Sequence, residues 1–205
     1  MALITTISKG AALSVAEMDA NLSEIERRTG GGWKDIVTPL DSSAVPVLNA
    51  PDKQPFGASG LRQELRFHVG DYTYCYPVHV PHDIKVGGKA YIHVHWSSDG
   101  ADTNPVKWEF QYTRAIGHQQ AYFSGEASAF VSQAGYGGAW RHMVAEVATI
   151  DALTLTEPDE LILITLRRVA NGATENTDNI FVLCVDLHYE SDRDSTPNKS
   201  PSFYA

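Results

Sequence analysis

Hydrophobic and polar positions divide this chain into one helical stretch and a long run of sheet. Residues 13–28 carry the helical period: Val15, Met18, Leu22 and Ile25 recur at 3-4-3 spacing, the a/d seam of a coiled coil. Ser14 and Glu17 have the spacing of a capping box, and Arg27 and Arg28 fall at the end where the helix dipole favours cations. A helix of about fifteen residues is marginal alone in water. The stripe must therefore be covered by the protein's own body, by a second copy, or by another partner. A seam this narrow favours a copy. Gly30, Gly31 and Gly32 close the helix and read as a hinge, so residues 1–32 form an N-terminal attachment segment.

From residue 33 to 60, Pro39, Pro46, Pro51 and Pro55 exclude a helix or a central strand and predict an extended strap with edge strands at most. Residues 61–190 alternate with the period of sheet. Tyr72, Tyr74, Tyr76, Val78 and Val80 share one predicted face, and Trp108, Phe110 and Tyr112 alternate with Lys107, Glu109 and Gln111. Phe181, Leu183, Val185, Leu187 and Tyr189 line a third strand, with Cys184, Asp186 and His188 opposite; Leu161 to Leu166 is apolar on both faces and reads as central. Turn signals at Gly70-Asp71, Gly87-Gly88, Ser97 to Gly100, Gly137-Gly138, Glu157 to Asp159 and Asn171-Gly172 separate these runs. With no long helix between them, the strands predict a mainly β protein, an antiparallel jelly-roll-type sandwich. Residues 191–205 form a polar tail whose Phe203-Tyr204 pair suits an anchor that packs elsewhere.

Composition narrows the function. The chain has 205 residues, with 16 Lys plus Arg against 25 Asp plus Glu and a formal charge of -9. Such a chain has no basic surface for nucleic acid or anionic membranes, so neither is expected as a partner. No apolar run reaches the roughly 20 residues needed to cross a bilayer. The opening residues also lack the order of a secretory signal. Cys75 and Cys184 sit in apolar strand-like runs and are expected to be reduced, each a small hydrophobe.

Eight histidines raise the question of a metal. His93 and His95 are two apart and share a strand face, and with Gly87 they spell Gly-x5-His-x-His, the opening of a cupin metal motif. Asp99, four residues past His95, stands where that motif wants a carboxylate, but its later His-bearing half is missing. The plainer reading gives Ile92, Val94 and Trp96 to the core and the histidine face to solvent or a subunit contact; no cofactor is expected. His82-Asp83 cannot act as a relay in an extended chain, where neighbours point apart; Asp83 there bonds back to its turn. Nucleophile-elbow, phosphate-loop and His-Glu-x-x-His patterns are absent, so the chain reads as a non-enzyme. Tyr122, Phe123, Tyr136 and Trp140, in loop-like sequence, are candidates for a ligand or receptor contact.

Three ordered runs carry a resemblance: Val80 to Trp96 with its "PH…G…HxHW", Val106 to Tyr112 with "W-x-(apolar)-x-Y", and Val185 to Asp192 with "D-x-HY-x-x-D". Together they resemble a family of small tailed-bacteriophage virion proteins over about residues 33–205. Lys9 to Leu22 is also similar to the leaders of phage fibre and appendage proteins. The resemblance implies a homotrimeric structural protein of the virion surface, assembled in the host cytoplasm. Its jelly-roll head would project from an N-terminal attachment segment, with a capsid or tail protein as partner. It implies no catalytic residues. The capsid surface is the expected site, as a decoration or head-fibre protein with Val15, Met18, Leu22 and Ile25 as the trimer seam. The alternatives are a tail fibre or receptor-binding tip that meets a host surface glycan, a free lectin-like module, and a cupin-like metal enzyme.

Overall fold

The computed structural model describes residues 10–29, 31–40, 46–147, 154–172, 174–192 and 198–199; the side chains of 26–29 and the Phe203-Tyr204 pair lie outside the described residues. Among the described residues one helix, α1 (Val15–Thr29), precedes eleven strands. The predicted capping box is present. The Ser14 amide and hydroxyl both donate to Glu17 Oε2, at 2.8 and 2.7 Å, and the Glu17 amide donates to Ser14 Oγ at 3.3 Å.

The strands are β1 (Gly32–Thr38), β2 (Asp52–Phe56), β3 (Arg62–Phe67), β4 (Tyr72–Tyr74), β5 (Val78–His79), β6 (Ala90–Ser98), β7 (Pro105–Ile116), β8 (Ala127–Ala134), β9 (Met143–Glu146), β10 (Glu160–Val169) and β11 (Ile180–Ser191). They form two antiparallel sheets, a mainly β architecture consistent with a sandwich. Sheet I runs β2-β3-β11-β6-β9, with β1 also on β11; sheet II runs β4-β10-β7-β8, with β5 also on β10. The long strands β10 and β11 each take two short strands end to end along one edge. The strap thus contributes β1 and β2 to sheet I, and Pro55 sits in the edge strand β2, where a missing amide is tolerated. The hinge is tightly constrained at one position: a Cβ on Gly31 would collide with the carbonyl oxygen of Ser191.

Between the sheets lies one core in which Ile92, Val94 and Trp96 of β6 meet Trp108, Phe110 and Val106 of β7, all fully buried. Trp96 Nε1 donates to Gln133 Oε1 at 2.7 Å, and Gln133 Nε2 donates to the Val144 carbonyl at 2.8 Å, so this β8 side chain ties the free edges of the two sheets together. The core face of β10 ends in charge on both sides. Glu160 pairs with Arg114 at 3.1 Å, while Arg168 donates to the carbonyls of Phe67 and Asn176 at 2.8 Å. Burial pushes the Glu160 carboxyl above its usual range, partly offset by Arg114.

Two strand faces differ from the alternation read in sequence. Thr73 and Cys75 turn into the core, so Tyr72, Tyr74 and Tyr76 lie on the outside; the phase slips at Tyr76-Pro77, after which Val78 and Val80 are buried. Proline interrupts the pairing there, and β4 and β5 meet β10 separately. In β11 the register shifts between Val182 and Cys184, so Ile180 and Val182 join Val185, Leu187 and Tyr189 in the core. Phe181 goes instead to the outer face against Phe56 and Trp140, with ring centroids 5.4 and 5.7 Å away, and Leu183 is only partly buried. An extra residue inserted into a strand reverses the facing of everything beyond it.

Candidate functional site

The outer face of sheet I collects the chemistry. Antiparallel register sets Asp186 opposite His93 and His93 opposite Glu146, with Asp35 opposite His188 and Cys184 opposite His95 on flanking rows. Four strands separated widely in sequence thus deliver imidazoles and carboxylates to one patch. His93 and Asp186 are buried, at 5% and 6% exposure, although both belong to an outer face.

Each imidazole has defined neighbours. His93 Nδ1 lies 3.5 Å from Asp186 Oδ1, and its Nε2 meets Glu146 Oε2. His95 Nε2 lies 3.2 Å from Asp186 Oδ2, and its Nδ1 is 2.7 Å from His142 Nε2. His188 Nε2 meets Asp35 Oδ1, and the rings of His93 and His188 stand edge-on, 4.1 Å between centroids. Three overlapping sets, His93/His95/Asp186, His93/Glu146/His188 and Asp35/Asp186/His188, each place one donor atom per residue within 4.8 Å of the others, the separation a metal ion can span. Burial holds the His188 imidazole below its usual pKa, and burial followed by the Asp186 and Glu64 charges raises the Cys184 thiol.

Asp99, the carboxylate suggested by sequence spacing, is not among these donors. It accepts from the Asn179 amide and side chain at 2.9 and 2.6 Å, just beyond the end of β6. The carboxylate beside His95 is instead Asp186, 91 residues away in sequence on β11. His82 and Asp83 point apart as expected. His82 pairs with Asp159 at 3.1 Å, joined there by His79 at 3.1 Å and His118 at 2.5 Å. Asp83 accepts from Tyr189 Oη at 2.9 Å and Lys34 Nζ at 2.5 Å rather than bonding back to its own turn. Cys75 is a buried core residue whose thiol burial pushes up to about 12, fitting an inert hydrophobe.

The aromatic candidates separate. Tyr122 (97% exposed) and Phe123 precede β8, whereas Tyr136 and Trp140 follow it, roughly 25 Å away along an eight-residue strand. Tyr136 stacks on Arg141, centroid to guanidinium 5.1 Å, and Trp140 packs on Phe56 at 5.2 Å. A second aromatic feature, not singled out by sequence, lies outside sheet II. Tyr72 and Tyr74 meet edge-on, 6.0 Å apart, beside Gln111, Glu126, Thr165 and Arg167 in a shallow groove of about 290 Å³. The helix seam is open to solvent: Val15 is 69% exposed, Met18 44% and Leu22 59%, with Ile25 at 42%.

No family model matches this chain, and no curated protein matches it. Among solved structures it is similar to the carbohydrate-binding module TmCBM61 in complex with beta-1,4-galactotriose. The identity is 15%, covering 78% of this chain and 84% of that one, with a TM-score of 0.27. A likeness at that level carries no argument about fold or ligand.

Proposed function

We propose that the chain is a non-enzymatic structural component of a tailed-phage virion, a homotrimer anchored by its N-terminal segment on the capsid surface as a decoration or head-fibre protein. The observation that carries this reading is the open seam of Val15, Met18 and Leu22 on a capped helix directly ahead of β1. A helix that turns its apolar stripe to solvent is built to be covered by another chain. Residues 10–29 then form the junction, and the β-domain is what the particle displays.

A jelly-roll topology is part of the proposal. In its support, the strands from β3 onward lie as β3-β11-β6-β9 in one sheet and β4/β5-β10-β7-β8 in the other, the chain crossing between sheets at each step except the β7-β8 hairpin, the order of two interlocked Greek keys. Three copies suit the local threefold axes of an icosahedral shell, and a net charge of -9 keeps a densely covered particle soluble. The sequence resemblance over residues 33–205 points to the same class.

A tail-fibre or receptor-binding role is the second reading, favoured by the Tyr72/Tyr74 groove. Paired tyrosines beside Gln111, Glu126 and Arg167 suit the apolar faces and hydroxyls of a sugar. Quantitative mass spectrometry of purified virions separates the two. Capsid decoration predicts copies on the order of hundreds per particle, as shell symmetry requires. A handful of copies together with glycan binding that Tyr74→Ala abolishes would establish the appendage instead, and absence from virions would end both.

A further inference from the structure

We propose that His93, His95 and Asp186 form a binding site for a divalent transition-metal ion of the zinc class, which staples β6 to β11 on the outer face of sheet I. This goes beyond the virion assignment and does not depend on it. Tetrahedral coordination with metal–ligand bonds of 2.0–2.1 Å places neighbouring donor atoms roughly 3.3 Å apart. Each Asp186 oxygen stands near that distance from one imidazole, Oδ1 3.5 Å from His93 Nδ1 and Oδ2 3.2 Å from His95 Nε2, and one donor atom from each of the three residues lies within 4.8 Å of the others.

Two further observations point to an ion. Asp186 Oδ1 is buried and accepts no hydrogen bond, a costly state for a carboxylate oxygen, and the imidazole it faces, His93, stands 3.5 Å away. Moreover, each proposed ligand imidazole has its remaining nitrogen occupied by an outer partner, Glu146 for His93 and His142 for His95. That is how proteins fix the tautomer and raise the basicity of a metal-binding histidine. With an ion held at Nδ1 of His93 and Nε2 of His95, His93 Nε2–H would donate to Glu146 and His95 Nδ1–H to His142, one tautomer for each ring. The overlapping set His93/Glu146/His188 would take Glu146 away from its supporting role, and the set Asp35/Asp186/His188 offers only one imidazole. Two imidazoles and one carboxylate select zinc, cobalt, nickel or copper over calcium and magnesium, which prefer all-oxygen shells. A fourth position is left for water.

The test uses the untagged full-length chain, loaded with zinc chloride, dialysed and analysed for metal, and in parallel titrated with cobalt(II) chloride. The site predicts about one zinc per chain and the visible d–d bands of four-coordinate cobalt(II). Asp186→Asn, nearly isosteric, should weaken zinc binding at least tenfold, and Glu146→Gln by roughly 10–100-fold without removing a ligand. Asp99→Asn should leave it unchanged. Zinc below about 0.1 per chain in the wild type, or cobalt spectra without those bands, overturns the proposal. So does equal affinity in wild type and Asp186→Asn. The wild-type cobalt spectrum decides even if a variant fails to fold.

Discussion

Helix α1 and strand β7 carry apolar stripes of similar length and dispose of them in opposite ways. Val106, Trp108 and Phe110 vanish into the core, while Val15, Met18 and Leu22 face solvent. The better-covered side of the helix is instead Leu13, Glu17, Ala20, Asn21 and Glu24, with Glu24 only 6% exposed. The polar side of the helix is thus more covered than its apolar stripe. The β-domain closes on its own core, whereas the helix leaves its apolar stripe exposed.

The largest expected effect falls inside the sandwich. Trp108→Ala should cost about 3–5 kcal/mol in urea unfolding, enough to erase most of a small domain's stability. Leu22→Ala should change the same measurement by less than about 0.5 kcal/mol. Comparable losses from both would show that the helix belongs to the core after all.

A smaller effect concerns the loops that close the sandwich. Asp102 accepts from the Thr177 amide and hydroxyl and from the Asn104 amide, each at 2.8 Å, and these bonds, Thr177 first, lower its carboxyl pKa from 3.8. A lowered carboxyl contributes stability that is present above the unfolded value and lost as pH falls through the folded one. Asp102→Ala should therefore destabilise the protein at neutral pH and progressively less below pH 3.8, tracked by thermal melts against pH. A deficit constant with pH would assign the loss to packing instead. The smallest effect is local to the helix. Ser14→Ala should remove about 1 kcal/mol of helix stability, lowering helical circular dichroism and weakening assembly on dilution while the β-domain melts as before.

Much of this arrangement was legible in the sequence, because it rests on local periodicity. The Ser14–Glu17 cap, the seam, the core faces of β6 and β7 and the central position of β10 all follow from spacings of two to four residues. The errors arise where one residue changes the phase. Pro77 resets the strand after Tyr76, and the irregularity at Leu183 sends Phe181 outward; neither leaves a pattern that alternation can register. The histidine cluster was half legible. His93 and His95 share a face by spacing alone, but their carboxylate comes from β11 by a register that only the folded sheet defines. Asp99 had the right spacing and the wrong position, since β6 ends at Ser98 and the chain turns toward Asn179. The Tyr72/Tyr74 groove is hidden by the same phase slip, because simple alternation groups its tyrosines with Val78 and Val80, which are buried.

The assembly role of the helix is tested most directly by light scattering on the full-length wild type beside a Met18→Asp/Leu22→Asp variant. The proposed homotrimer predicts three 22.4 kDa chains per particle for the wild type, and a seam that holds it predicts a folded monomer for the variant, with unchanged β-domain melting. A monomeric wild type, or a variant that keeps the trimer, would contradict it.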